Sequence, residues 1–325
     1  MRPRARSGAC VLAAVVAVPA LVLTGARLLG GSHRQVAIVQ AFTAWAVPAY
    51  LLVLVVLGVL LARPAVRRPA RRPLGVAALA TALALALHLA WLAPTVSGGT
   101  PKAAPDAPRL TVMTANLRFG QAEPAEVLDA VRDREVDLLV LQEVTPTALA
   151  ALDAAGLAET LPHRAGEAQG GALGTVAFSR VPVSDVDRID TVMGSWAFTT
   201  AGLRVLAVHP AYPLSENWGR ELGIVRDAVE AEQPDVVAGD FNASRDHAPM
   251  RAILDAGLED GADLVNAGWQ PTWPTGGFRG WPVPASVAID HVLVGRGLTA
   301  TASSTLEVAG TDHRALVVTV ARRAG

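Results

Sequence analysis

VVAGDFNAS, residues 236–244, is an apolar run that ends in an acid and an amide two places apart, Asp240 and Asn242. A short apolar stretch bounded by turn residues predicts a strand buried on both faces. A carboxylate at the tip of such a strand is costly to bury unless it is paired or bound to a cation. The same construction recurs on either side. Asn116 lies near the end of RLTVMTANL (109–117), Glu143 near the end of VDLLVLQEV (136–144) and His209 near the end of LRVLAVHP (203–210). Asp290 sits in ASVAIDHVLV (285–294), and Asp312 and His313 open DHRALVVTVA (312–321). A further strand is predicted at GTVAFSRVPV (174–183), and helices near 122–134, 146–155, 216–232 and 248–256. Strands alternating with helices in this way imply layered α/β packing. Polar groups at so many strand ends point to one shared site.

Glu143, Asp240, Asp290 and Asp312 are hard oxygen donors, and Asn116 and Asn242 are neutral ones. With Cys10 the only cysteine and few histidines, the set suits Mg²⁺ or Mn²⁺ better than Zn²⁺. Such a cation polarises a phosphoryl oxygen. One imidazole is then available to orient or deprotonate a water, and the other to donate to a departing oxygen. Phosphoester hydrolysis uses all of these parts.

In chain order, TANL with Asn116, LVLQEV with Gln142 and Glu143, AFSR with Arg180, VHP with His209, GDFN with Asp240 and Asn242, IDHVL with Asp290, and TDHRAL with Asp312 and His313 resemble the endonuclease/exonuclease/phosphatase superfamily. That superfamily includes DNase I, abasic-site endonucleases, sphingomyelinases and inositol polyphosphate phosphatases, and the resemblance covers about residues 109–321. It implies a DNase I-like four-layer α/β sandwich with the site at one edge. It also implies roles. Glu143 is the principal metal ligand, with Asn116 close to it and Asp312 in the metal set. Asp240 and Asn242 position the attacking water and the phosphate. Asp290 holds His313 in one tautomer, and His313 with Asp312 acts at the scissile phosphate, either one serving as base. His209 matches the general-acid position. Arg180 reads as a brace for the fold, whereas Arg118 in NLRFG is either a phosphate contact or an exposed arginine.

The first third of the chain is of another kind. Residues 1–105 carry ten Arg, one Lys and no acid, a charge of +11, and the remainder carries −12. Three apolar runs, about 9–29, 36–62 and 74–96, are each long enough to cross a hydrocarbon core of about 30 Å. Arg2, Arg4 and Arg6 precede the first run, and Arg63, Arg67, Arg68, Arg71 and Arg72 follow the second, against Arg27 and Arg34 in the intervening loop. Positive loops stay in the cytoplasm, so the N-terminus is expected inside and everything after the third run outside. His88, within the third run, reads as hydrogen-bonded to a neighbour. The division expected is a three-helix transmembrane region (1–96), a Gly/Pro/Ala linker (97–108) and a catalytic domain (109–325). One cysteine permits no intrachain disulfide, so this multi-pass protein of the cell membrane must hold its extracytoplasmic domain together by its core.

Substrate class follows from charge and tethering. Proteins that grip duplex DNA neutralise its phosphates with clustered Lys and Arg, and here the second part has an acid excess, so no stable nucleic-acid complex is expected. A short tether raises the effective concentration of membrane-borne substrates. NAGWQPTWPTGGFRGWPVP (266–284) sets Trp269, Trp273, Phe278 and Trp281 among Gly and Pro; these either touch lipid headgroups or plug the sandwich edge. Three spans followed by such a domain resemble a branch of bacterial membrane proteins that includes the teicoplanin-resistance protein. That resemblance implies lipid-linked envelope phosphates, such as undecaprenyl pyrophosphate or wall precursors, and a role in glycopeptide resistance. An anchored nuclease or sphingomyelinase-type phosphodiesterase, and a silent precursor-binding module, are the alternatives.

Overall fold

The computed structural model describes residues 3–31, 33–63, 68–99, 101–277 and 280–324, without the side chains of 3–10 and 68. Arg2, Arg67 and Phe278 lie outside these residues, as do the side chains of Arg4, Arg6, Cys10 and Arg68. The chain opens with helices α1 (Pro3–Leu29), α2 (Arg34–Ala41), α3 (Ala46–Ala62), α4 (Arg68–Leu92) and the single turn α5 (Pro94–Ser97). Among the described residues, three segments are long and apolar enough to cross a membrane: Val11–Leu29, Thr43–Ala62 and Pro69–Leu92. They pack on one another through Ala20, Ala46, Tyr50 and Leu85, while Val15, Val18, Leu52, Val55, Leu79 and Leu83 face outward. His88 meets Thr24 at 2.9 Å, and Thr24 meets Tyr50 at 2.6 Å, so the polar atoms within the bundle satisfy one another.

Two of the expected spans have different limits. The run at 36–62 is not one helix: a 3₁₀ turn at Thr43–Trp45 separates α2 from α3. Ala37 of α2 is buried in the core of the α/β domain, whereas Ile38 on the same helix is exposed. The third helix begins before residue 74 and ends at Leu92, with α5 breaking off at Pro94, whose ring cannot continue the helix. The stretch read as a linker is hydrogen-bonded to the strands. Ala104 N–H donates to the Arg322 carbonyl at 2.8 Å, and Thr299 Oγ1 donates to the Pro101 carbonyl at 2.8 Å.

The α/β domain begins with β1 (Arg109–Asn116), α6 (Pro124–Asp133), β2 (Leu138–Gln142), α7 (Pro146–Ala155) and α8 (Leu157–Thr160). Then come β3 (His163–Glu167), β4 (Thr175–Ser179), β5 (Val183–Ile189), β6 (Ser195–Thr200), β7 (Leu203–Val208), α9 (Trp218–Glu232) and β8 (Val236–Asp240). The chain closes with α10 (Ala248–Asp255), β9 (Leu258–Asp260), α11 (Gly261–Leu264), β10 (Asp290–Gly295), β11 (Leu298–Glu307) and β12 (Arg314–Arg322). One sheet has the order β11-β12-β1-β2-β4-β3 and the other β5-β6-β7-β8-β10-β9. Among the described residues, only β1–β2 and β7–β8 pair in parallel.

Side chains alternate across each central strand, as the two-residue period of a strand requires. Met113 and Ala115 of β1, with Leu139 and Leu141 of β2, pack against Val127 and Val131 of α6 and Leu152 of α7. Val112, Leu138 and Val140 point the other way and meet Phe198, Val205, Val236 and Val292 of the second sheet. The far face of that sheet, including Leu206, Val237 and Leu293, is covered by Trp218, Leu222 and Val225 of α9 and by Met250 and Ile253 of α10. The result is the expected four-layer α/β sandwich. Both faces of its central strands are buried, which is why those strands read as continuous apolar runs.

Candidate active site

Register brings the polar tips together. In the parallel pair β1–β2, Asn116 lies opposite Gln142, so Glu143 follows beside it. In the antiparallel pair β8–β10, Asp240 lies directly opposite Asp290. Val208, just before His209, pairs with Gly239, just before Asp240. β12 runs antiparallel to β1, so its start, with Asp312 and His313 before it, lies by the end of β1. Gly239 is required for this meeting: it has φ +153°, and a Cβ there would stand 2.0 Å from the Val208 carbonyl oxygen. Arg118, Phe119, Glu143 and Asn242 adopt left-handed backbone, φ between 48° and 56°, beside the same edge. Such conformations persist only where the surroundings over-determine them.

Asn116 is the bridge. Its Nδ2 donates to Glu143 Oε1 at 3.1 Å and to Asp240 Oδ2 at 3.0 Å, and its Oδ1 accepts from the Arg118 N–H at 2.8 Å. Glu143 Oε2 accepts from the Phe119 N–H at 2.7 Å. Asp240 Oδ1 accepts from the Asn242 N–H at 2.7 Å, and the Asn242 amide reaches the Pro210 carbonyl at 3.1 Å. Both His209 Nε2 and His313 Nε2 approach Asp240 Oδ2, at 3.8 and 3.9 Å. His313 Nδ1 meets Asp290 Oδ2 at 2.9 Å, fixing the ring.

Of the residues singled out in the sequence, Asn116, Glu143, His209, Asp240, Asn242, Asp290 and His313 thus share one edge. Asp312 stands at its margin, about a third exposed, with Oδ2 accepting from the Trp273 indole N–H at 3.3 Å and Oδ1 lying 3.9 Å from Arg118 Nε. Gln142 is engaged with Thr114, and Arg180 braces Asp137 at 3.0 Å, so both act in the fold. Four supports were not legible in the sequence. Ser195 Oγ accepts from the His209 N–H at 2.9 Å, and Glu221 accepts from the Ala211 N–H at 2.9 Å. Asp260 meets His291 Nδ1 at 2.8 Å, directly behind Asp290. Only the polar character of Ser195 and Glu221 beside apolar neighbours could have signalled them.

The two histidines are driven apart electrostatically. Burial disfavours the charged form of His209 and holds it down at about 4, so it is neutral at neutral pH. Among the described residues, neither of its ring nitrogens has a hydrogen-bond partner. Burial also opposes charge on His313, but Asp290, then Asp240 and Asp312, outweigh it and raise the imidazole to about 10. Burial pushes Glu143 and Asp240 above the ordinary carboxylate range, and the facing Asp290 adds to the rise at Asp240.

This donor set fits a hard divalent cation. Asp240, Asp290 and His313 each offer a ligand atom within 4.8 Å of one another, and Asn116 links that group to Glu143. The buried Asp290 Oδ1 has no hydrogen-bond partner among the described residues. Because the His313 imidazolium already faces Asp240 and Asp290, the carboxylate left without a cation is Glu143, which burial disfavours as an anion and which with Asn116 offers hard oxygen donors.

A family model described as Endonuclease/Exonuclease/phosphatase family matches residues 113–313. The chain is also similar to solved structures. An AP endonuclease from Archaeoglobus fulgidus superposes with a TM-score of 0.54 at 16% identity, covering 64% of this chain and 98% of that one. D. rerio TDP2 complexed with single strand DNA product gives 0.52 at 18% identity over 65% and 98%. A family protein from Bacteroides thetaiotaomicron gives 0.51 at 15% identity over 67% and 100%. These likenesses show the fold. The comparison with curated proteins finds no match.

Proposed function

Because the chain belongs to the endonuclease/exonuclease/phosphatase family, whose members are hydrolases acting on phosphoester bonds, we propose that it is a membrane-anchored, Mg²⁺-dependent phosphoesterase. Its leading substrates are lipid-linked phosphates of the cell envelope, undecaprenyl pyrophosphate or wall precursors among them, with a role in teicoplanin resistance. The observation that carries the reading is the Asn116 amide bridging Glu143 and Asp240 from strands in different sheets.

Glu143 and Asn116, with Asp312 at the margin, would hold Mg²⁺, or Mn²⁺ in its place. Once bound, the cation supplies charge neutralisation at a phosphoryl oxygen. Asp240 and Asn242 orient the attacking water; in place of the expected base, His313 or Asp312, Asp240 takes the proton, since His313 is already protonated and burial raises the Asp240 carboxyl. The His313 imidazolium, held by Asp290, donates from Nε2 to a phosphoryl oxygen. His209 is neutral and donates a hydrogen bond to the departing oxygen rather than a full proton. A phosphate leaving group departs as an anion and needs no more than that, which favours a pyrophosphate over a simple alkyl ester.

The spans and arginine distribution support a multi-pass protein of the cell membrane with a cytoplasmic N-terminus and an extracytoplasmic catalytic domain. Arg27 at the end of the first span, and Arg34 and α2 between the first two spans, contact the catalytic domain, which supports their lying on the same side as it. The fold neighbours include an AP endonuclease and a protein solved with single strand DNA product, so an anchored nuclease is the competing reading. The charge of −12 after residue 105 weighs against it. The test is phosphate release by the full chain from lipid pyrophosphates, phospholipids and DNA, with Mg²⁺ and with a chelator. Mg²⁺-dependent release fastest from the lipid pyrophosphate is expected; DNA turnover at a comparable rate would defeat the substrate assignment. Unchanged teicoplanin resistance in a Glu143→Ala, His313→Ala double variant would favour a silent binding module instead.

A further inference from the structure

Three loops that carry or adjoin site residues are fastened to the ends of the membrane helices. In the loop after β7, which begins with His209, the Leu214 carbonyl accepts from Arg34 of α2 at 3.4 Å. In the loop after β8, which contains Asn242, Asp246 pairs with Arg27 at the end of α1, and His247 Nε2 donates to the Ala37 carbonyl at 2.8 Å. In the long loop between α11 and β10, the Gly268 N–H donates to the Thr95 carbonyl just beyond α4 at 2.8 Å. Trp269 of that loop lines one cavity together with Ala41, Ala44, Leu92 and Thr95. The same loop reaches the other end of the site, where the Thr275 N–H donates to the Asp312 carbonyl at 2.7 Å. The catalytic edge of the second sheet, rather than its opposite edge, is therefore the part that sits on the helix ends.

Among the described residues, the exposed aromatic side chains of the domain lie on or beside these loops, whereas the exposed aliphatics Leu173, Val181, Val186 and Val192 lie elsewhere. Tyr212 is 50% exposed and Leu214 57%, on the loop after His209; Trp269 is 41% and Trp281 74% exposed, on the loop that reaches Asp312. Phe119, 53% exposed, follows Arg118 and gives its N–H to Glu143. Isolated exposed apolar residues mean little, but here they gather on segments that frame one polar site and are continuous with the spans. Tyr and Trp suit a headgroup zone, where one end of the side chain is wet and the other apolar.

We propose that Tyr212, Leu214, Trp269 and Trp281 form a collar seated in the bilayer that holds the spans, and that the collar takes the apolar part of an amphiphilic phosphoester directly from that bilayer. The proposal rests on the hydrolase reading for its substrate and on geometry alone for its contact with lipid. The site draws on substrate confined to one leaflet, whose phosphate already lies at headgroup depth, and a soluble phosphodiester gains nothing from the collar.

Two measurements on the full chain in phospholipid nanodiscs test this. Spin labels are placed by Trp281→Cys and, as a reference on the opposite outer layer, Asp133→Cys, both in a Cys10→Ser background. Oxygen accessibility at position 281 is expected to exceed that of a water-soluble nickel complex, with the reverse at 133; water-like values at both positions overturn the proposal. In the second, a Tyr212→Ser, Leu214→Ser, Trp281→Ser variant is compared with the unmodified chain on a polyprenyl pyrophosphate in the disc and on bis(4-nitrophenyl) phosphate in solution. A loss of roughly tenfold or more confined to the bilayer substrate is expected, and equal loss on both overturns the collar. If the unmodified chain hydrolyses neither with Mg²⁺, the hydrolase reading fails while the depth measurement still decides the collar.

Discussion

Replacing Asp290 by Asn tests the electrostatic heart of the site. Asp290 is buried, and its Oδ2 lies 2.9 Å from His313 Nδ1. His313 is held at about 10 against an ordinary 6.5, and Asp290 is the largest of the groups that raise it. That interval corresponds to about 5 kcal/mol of preference for the imidazolium. An asparagine keeps the shape and still accepts the Nδ1–H, but it lacks the charge, so the larger part of that preference goes and His313 titrates near the ordinary range. At pH 8 the ring is then mostly neutral, and kcat should fall by about 10²–10⁴-fold. The sign of the stability effect is also fixed. A histidine raised in the folded state stabilises fully below its unfolded value of 6.5, and that contribution is lost as pH rises through about 10. The native chain should therefore lose stability across that window and the Asp290→Asn variant should not. The assays are hydrolysis against pH by the solubilised full chain and imidazole NMR signals of His313. A variant within about threefold of the native kcat, with an unmoved His313 titration, would refute the reasoning.

Arg27→Ala removes the close partner of the buried Asp246 and leaves only the more distant charges of Arg245 and Arg251, so it should cost at most about 3–5 kcal/mol. An Arg27→Asp, Asp246→Arg exchange should recover much of it; equal thermal midpoints for the native chain, the single variant and the exchange would contradict the dock. His247 accepts the Ser244 N–H at Nδ1 and donates from Nε2 to the Ala37 carbonyl, and burial lowers it to about 4. Being depressed in the folded state, it stabilises fully above pH 6.5 and its contribution is lost as pH falls through about 4, up to about 3 kcal/mol. Urea midpoints between pH 7 and 4.5 should fall less steeply in His247→Gln than in the native chain. Thr145 caps α7 by accepting the Ala148 N–H at 3.1 Å, so Thr145→Ala should lower stability by about 1 kcal/mol in chemical unfolding.

What the sequence disclosed follows from where apolar surface is spent. β1, β2, β7, β8, β10 and β12 are covered on both faces, so their apolar runs, and the polar residues that end them, stand out in the letters. The strands that stayed hidden are those at or near sheet edges. β3 reads HRAGE, β5 VSDVDRI and β11 LTATASSTLE, polar or small because one side of an edge strand has no partner to bury it. GTVAFSRVPV was a single strand to the eye, yet β4 ends at Ser179 and β5 begins at Val183 in the other sheet. In ASVAIDHVLV only the half from Asp290 onward is strand; Val287 forms a lone bridge with Trp273. Apolarity likewise did not disclose the 3₁₀ turn that separates α2 from the helix beyond it. The convergence of Asn116, Glu143, Asp240 and His313 followed from strand ends, whereas the His291–Asp260 pair and the His247–Ala37 contact join stretches with no local signature.

The central claim is that these strand tips make one centre for a divalent cation and a phosphoester. Mn²⁺ titration of the full chain followed by electron paramagnetic resonance tests it most directly. The account predicts a class of bound Mn²⁺ that is lost or greatly weakened in Glu143→Gln and competed by Mg²⁺; binding of equal strength in the native chain and the variant would contradict it.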